Sequence, residues 1–521
     1  MNQETTMSSA EVSFKDFLFN NKRNRTILWL AAAAIVIQFA VFKYFYPFAS
    51  YIHGDSFSYI KAADQNLNIN TYPIGYSKFL RLFSVFAKPD YVLTSFQYLL
   101  IQSSILFLLF TFFYFYKTGK GMQFLLLGFM LFNPLFLHLG NLVSSDNLFL
   151  SISCIWFGLL LWIIHRPTIK IIICNSIILL IAFTVRYNAM IYPFIMLIAL
   201  WLSNLPLRKK IFGLGLSLML CGIFTSFTMY QYKKLTGYWQ FSPFSGWQFA
   251  NNAMYAYRYV HIADRHPVPL KFQELDNMIR VFFDSTRDTK KNPSENLKAS
   301  SVYMWTRRMP LWKYRNNLFK NDTTSIELKK WASMGPFYKD YGIFIIKQYP
   351  IYFLKYFIYP NALKYYAPPV EFLDVYNSYR KSVAPEASKW FGYDSNNVKT
   401  RMKDNNVLVL NFYPILSGMI NVSILCLLII YLTWKGWTYS KPFQKGLTIG
   451  GAFWLCNALF TIFASPAALR FQAFPIILTT ILVCLLTDFM FQIMGKLKTE
   501  KDSYIRVQVP KNKLVATNPS A

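Results

Sequence analysis

Ten long apolar runs with almost no charge inside them dictate what this chain can fold into. They lie at Thr26 to Tyr46, Tyr91 to Tyr116, Met122 to Leu139, Asn147 to His165, Ile169 to Val185, Tyr187 to Trp201, Ile211 to Tyr230, Phe412 to Trp434, Phe443 to Phe463 and Phe471 to Phe491. A helix needs roughly 17 to 25 such residues to cross a bilayer, because each residue adds about 1.5 Å. The expected fold class is therefore an all-α polytopic membrane protein of about ten transmembrane helices. Composition agrees, with 54% hydrophobic and 15% charged residues in 521. The first run is too long, and too far from a small-residue cleavage site, to be a removable signal peptide.

Lysine and arginine set the expected orientation. With the N-terminus inside, twenty basic residues fall on the inner side, from Lys15 and the Lys22 to Arg25 cluster to the six between Lys496 and Lys513. The short outer segments hold six: Lys61, Lys78, Arg81, Lys88, Arg186 and Arg470. That bias predicts cytoplasmic termini under the positive-inside rule, in a multi-pass protein of the cell inner membrane.

The resulting organisation is a cytoplasmic N-terminus (1–25), a transmembrane half (26–230) with a first outer loop (47–90), an extracytoplasmic module (231–410) between spans seven and eight, C-terminal helices (411–491) and a basic cytoplasmic tail (492–521). The module carries 27 basic and 14 acidic residues and six tryptophans, a composition that folds and does not dangle. Its segment from Tyr341 to Pro369 mixes aromatics with Lys347, Lys355 and Lys364, which suits a membrane-surface helix better than an eleventh span. The tail after Lys496 is polar and expected to be disordered. The net charge of +30 does not point to nucleic acid, since a basic stripe would lie outside the membrane; anionic lipid or glycan suits it better.

The six cysteines all fall inside apolar runs and read as packing residues. No metal-ligand spacing or cofactor motif is present, although His53 beside Asp55 leaves a divalent metal open. GKG at Gly119 to Gly121 is a turn and not a phosphate loop.

Charge does gather at the expected outer helix ends. Asp55 lies in YIHGDSFSYI, Asp146 in NLVSSDNLFL, Arg186 in TVRYNAMIYP and Arg470 in SPAALRFQAFP. Lys78 and Arg81 follow on an amphipathic helix that Pro73 to Gly75 begins. Singly, each acid is readable as a helix cap and each arginine as a snorkelling side chain. Two carboxylates and two guanidiniums at one level, where charge is costly, point instead to a site.

The order of these segments, from HGDSFSY and YPIGY through SSDNLFLSIS and VRYNAMIYP to RFQAFP, resembles the GT-C membrane glycosyltransferases. The nearest pattern is that of the protein O-mannosyltransferases and the aminoarabinose transferases. The resemblance covers roughly residues 20–230 and 410–490. It departs at Gly54-Asp55-Ser56, where the mannosyltransferases carry an adjacent Asp-Glu pair, and it does not extend to 231–410. It implies transfer of a hexose or pentose, with inversion, from a polyprenyl-phosphate-linked donor to a lipid, glycan or protein acceptor. Asp55 and Asp146 are then the catalytic candidates, and Arg470, Arg186 and Lys78 the donor-phosphate candidates. A transporter or lipid-linked glycan flippase is the competing class, and a non-catalytic assembly protein a third. Transporters place coupling charges on broken helices near mid-membrane, in repeated halves that this chain lacks.

Overall fold

The structure, a computed structural model, describes residues 12–295 and 297–508. All regular elements among these are helical, with three isolated bridges besides. A short helix α1 (Phe14–Phe19) leads into α2 (Lys22–Phe45), each opened by a side-chain cap, Ser13 and Asn21. The first loop folds into α3 (Asp55–Asp64) and α4 (Gly75–Ser84), the latter starting where Pro73 to Gly75 places it. Then come α5 (Asp90–Phe115), α6 (Lys120–Leu131), α7 (Pro134–Gly140), α8 (Ser145–His165), α9 (Ile169–Val185), α10 (Tyr192–Leu202) and α11 (Leu207–Thr236).

Among the described residues, eight helices are long and apolar enough to cross a membrane: α2, α5, the joined α6–α7, α8, α11, 408–433, 441–464 and 469–495. Ten were expected. The difference falls on α9, with 17 residues, and on the apolar helix from Tyr187 to Leu202, which a 3-10 turn opens. At 1.5 Å per residue these reach about 24 to 26 Å, short of the ~30 Å hydrocarbon core. Burial separates centre from rim: 78% of the apolar window of α8 is enclosed, against 17% for α2. Around α8 the contacts are close. A Cβ on Gly158 would meet the Phe107 ring at 2.4 Å, and Asn175 donates to the Trp156 carbonyl at 3.1 Å.

Between α11 and the C-terminal helices lie α12 (Pro243–Tyr257), α13 (Leu270–Ser285), α14 (Val302–Trp305), α15 (Pro310–Leu318), α16 (Glu327–Ser333), α17 (Gly335–Gln348), α18 (Pro350–Phe353), α19 (Tyr359–Tyr366) and α20 (Pro385–Phe391). Glycines let α12 and α17 cross closely: a Cβ on Gly246 would sit 1.9 Å from the Gly335 carbonyl oxygen. Trp247, Tyr303, Tyr338 and Tyr341 fill the core this crossing creates. The single module expected over 231–410 is in fact two packing units. Residues 232–357 share this core, whereas Val370, Leu373, Tyr376 and Phe391 join the main helical core.

The expected surface helix near 341–369 is interrupted. Tyr349 leaves helical geometry before Pro350, and a π turn, Leu354–Ile358, separates α18 from α19. One side is buried through Tyr341, Ile345, Tyr349, Phe353, Phe357, Asn361 and Tyr365. The other leaves Ile351, Leu354 and Leu363 exposed.

The chain closes with α21 (Tyr413–Thr433), α22 (Lys441–Ala464) and α23 (Leu469–Gln508). The last helix runs past Lys496 through KLKTEKDSYIRVQ, where disorder was expected; the stretch is charged but contains no glycine or proline and is rich in helix formers. Residues 1–11 and 509–521, parts of the expected cytoplasmic termini, lie outside the described residues.

A charge cluster at four helix ends

Two strand-like contacts bring the first loop to the start of α8. Ser50 donates its N–H to Asn141 O at 2.8 Å, and Val143 donates back to Ser50 O at 3.0 Å. Residues 376–378 hold the same loop from the other side, through Tyr376 Oη to Ala49 O, Asn377 N to Ser50 Oγ and Ser378 Oγ to Tyr51 O. Asp55 thereby becomes the first residue of α3 and Asp146 the second of α8. Neither caps its helix: α3 has no side-chain cap, and Ser144 caps α8. The carboxylates are left for other partners.

The arginines supply them. Arg470, in the first turn of α23, donates through Nη2 to Asp55 Oδ2 at 2.9 Å and through Nη1 to Asp146 Oδ2 at 3.1 Å. Arg186, just past the end of α9, donates to Asp146 Oδ1. The four charges form an alternating chain, Asp55–Arg470–Asp146–Arg186. Phe471 closes over both guanidiniums at 4.4 and 4.6 Å, and Phe372 lies 4.8 Å from Arg470. Phe372 holds a left-handed φ of 67°, unusual for a bulky side chain and found where surrounding structure enforces it.

The loop that presents Arg470 is held by Asn361. This fully buried amide donates to Thr461 O, Ile462 O and Ser465 O at 3.2, 2.9 and 2.8 Å, and its Oδ1 accepts from Ala467 N at 2.9 Å. It satisfies carbonyls at the end of α22 that the helix leaves open. Leu469 N then donates to Pro369 O at 2.9 Å.

These groups border a cavity of about 2300 Å³ whose wall includes Asp55, Ser145, Arg186, Arg470, Phe471 and Trp305. Asp146 is not on that wall; its side chain is 1% exposed, against 17% for Asp55 and 16% for Arg186. Asp55 Oδ1 accepts from Tyr72 Oη at 2.7 Å, leaving lone pairs open to the cavity. Burial, and after it the Asp55 carboxylate, push the Tyr72 phenol well above its ordinary pKa, so it stays a donor. Tyr59 Oη and Ser145 Oγ, 3.0 Å apart, complete the floor.

The structure thus joins four of the five candidate residues. Lys78 stands apart from the cluster: it is not on the cavity wall, and its Nζ donates to O and Oδ1 of the lining residue Asn66 at 3.3 and 2.9 Å. Among the described residues no three His, Cys, Asp or Glu gather as a metal site, and the His53 imidazole has a buried Nε2 without a partner. Sequence reasoning missed Tyr72, Phe372 and Asn361. The YPIGY segment signalled the first; neither of the others carries a local signal. Comparison with protein families, curated proteins and solved structures found no match to this chain.

Proposed function

We propose that this protein is an integral-membrane glycosyltransferase that moves a sugar from a polyprenyl-phosphate carrier to an acceptor on the extracytoplasmic face. The observation that carries this is the alternating Asp55–Arg470–Asp146–Arg186 chain, set at the ends of apolar helices and opening to a large cavity. Such a place lets a lipid chain stay among the helices while its phosphate meets charge at their ends.

The roles follow from exposure and free valence. Asp55, open to the cavity, accepts the proton of the acceptor hydroxyl as its oxygen attacks the anomeric carbon. The bond from that carbon to the phosphate oxygen breaks, and the polyprenyl phosphate departs with the bonding electrons. Arg186 takes the developing phosphate charge with the guanidinium nitrogens that Asp146 leaves free. Arg470, engaged by a carboxylate on each Nη, positions Asp55, and buried Asp146 positions both arginines. Lys78 contributes at most to the approach of lipid headgroups. The basic bias of the flanking segments supports cytoplasmic termini and an outer location for residues 231–410, in the cell inner membrane.

Purified protein supplied with a polyprenyl-phosphate sugar and a hydroxyl-bearing saccharide acceptor should release polyprenyl phosphate as the sugar is transferred, and Asp55→Asn should lose that release while folding normally. Unchanged turnover in Asp55→Asn would remove the base; donor bound and moved across vesicles without cleavage would favour the transporter class.

A further inference from the structure

The cavity has a second equipped wall, which starts beside the charge cluster and runs away from it. Trp305 lies with its ring 5.9 Å from Tyr72, the residue bonded to Asp55. From Trp305 the rings continue to Trp331 at 6.3 Å, parallel within 2°, and Trp331 packs on Trp247, which adjoins Trp312 at 5.3 Å. Trp305, Trp312 and Trp331 all line the cavity.

Arg315 lines it too. Its guanidinium lies over the Trp312 ring at 4.7 Å and donates from Nη2 to Glu327 at 2.8 Å. The residue is only 4% exposed, yet Nε and Nη1 have no partner; Trp331, also 4% exposed, leaves its Nε1 unpartnered. Trp247 and Trp312 do find carbonyl acceptors, so the orphaned donors are confined to Trp331 and Arg315. A buried donor left unbonded is costly. The three buried atoms left without a partner are all donors, and one of the two side chains is charged, which together ask for an anion. Arg307 and Lys339 add positive charge to the same wall, with Glu327 and Asp340 the opposing acids.

We propose that this wall is a binding subsite for an acidic saccharide, the acceptor of the transfer. The C–H face of a sugar ring lies against Trp305, and a carboxylate or phosphate on the saccharide accepts from Arg315 and Trp331. Planar guanidinium suits an oxyanion, and a dry aromatic surround strengthens the bond. The assignment as acceptor rests on the transferase proposal; the binding itself does not.

The test uses full-length protein in nanodiscs of uncharged lipid, titrated with trigalacturonic acid and with neutral galactotriose, read by calorimetry and tryptophan fluorescence. The acidic trisaccharide should bind at least tenfold more tightly. Arg315→Gln should erase that preference, and Trp305→Ala should weaken both sugars. Equal affinity for the two sugars, or acidic binding untouched by both variants, overturns the subsite. Trp305 is only half-buried, so its variant decides the matter if Arg315→Gln fails to fold. Acidic binding with no transfer from a polyprenyl-phosphate donor in the parent would sink the transferase reading and leave the subsite standing; transfer without acidic binding would do the reverse.

Discussion

Arg470 and Asp55 are 415 residues apart in the chain and 2.9 Å apart in the fold. The same guanidinium reaches Asp146, so one residue of the last long helix fixes two carboxylates from the first third of the protein. Neither acid caps its own helix, so this bridge helps to orient both, with Tyr72 on Asp55 and Ser144 and Arg186 on Asp146.

Asp146 is expected to matter more for folding than Asp55. Asp146→Ala leaves two guanidiniums short of a partner in a buried place, and breaking such a pair typically costs about 3–5 kcal/mol. Thermal unfolding in detergent should show a much larger fall for Asp146→Ala than for Asp55→Asn. Equal melting temperatures would mean that the arginines find other partners.

The two arginines should separate kinetically. Arg186→Lys keeps the charge but loses the planar fork, and should act chiefly by raising KM for the polyprenyl-phosphate donor. Arg470→Lys cannot bridge both acids and should lower kcat by about 10²-fold, the scale of losing one preorganised group. Steady-state kinetics on both variants settle the division of labour; a donor KM effect confined to Arg470→Lys would exchange the roles.

His53 should make stability fall in acid. Burial, with Arg380 nearby, lowers its imidazole to about 4, below the ordinary 6.5. Above about 6.5 the ring is neutral in both states and its contribution is intact. As pH falls from there toward 4 the unfolded chain takes up a proton that the folded one refuses, and stability is lost. His53→Gln should therefore show a shallower decline of melting temperature over that window; the same slope in both proteins would assign the decline to carboxylates.

Gly246→Ala should loosen the module. Its added methyl meets the Gly335 carbonyl, which is backbone and cannot swing aside, so a cost of about 3 kcal/mol is expected. Faster proteolysis within residues 243–357 would report it. Gly54→Ala, with nothing within 4 Å, is the control.

The helices were legible because an apolar run longer than a dozen residues has few alternatives, and even α9 and α10 formed where the pattern put them. The run Ile169 to Val185 even matched the bounds of α9; what a hydropathy run does not reveal is that a 3-10 turn opens the next helix. The charged residues were legible singly as costly placements. Their pairing was not, because it depends on how helices hundreds of residues apart pack. Only the structure distinguishes exposed Asp55 from enclosed Asp146, although the Ser144 cap that frees Asp146 was visible in the SSD triplet. Asn361 and Phe372 were invisible: an asparagine serving backbone in another segment, and a phenylalanine held at positive φ, look like any others in a string.

The direction of synthesis gives the Arg470 bridge a temporal meaning. Asp146 and Arg186 emerge from the ribosome forty residues apart, at adjoining ends of one helical hairpin, so they neutralise each other as soon as that hairpin is made. Asp55 has no such cationic companion nearby and must wait for residue 470 on the last long helix. A nascent chain therefore carries this carboxylate without its arginine until that helix is made, and a chain cut short before it never closes the bridge.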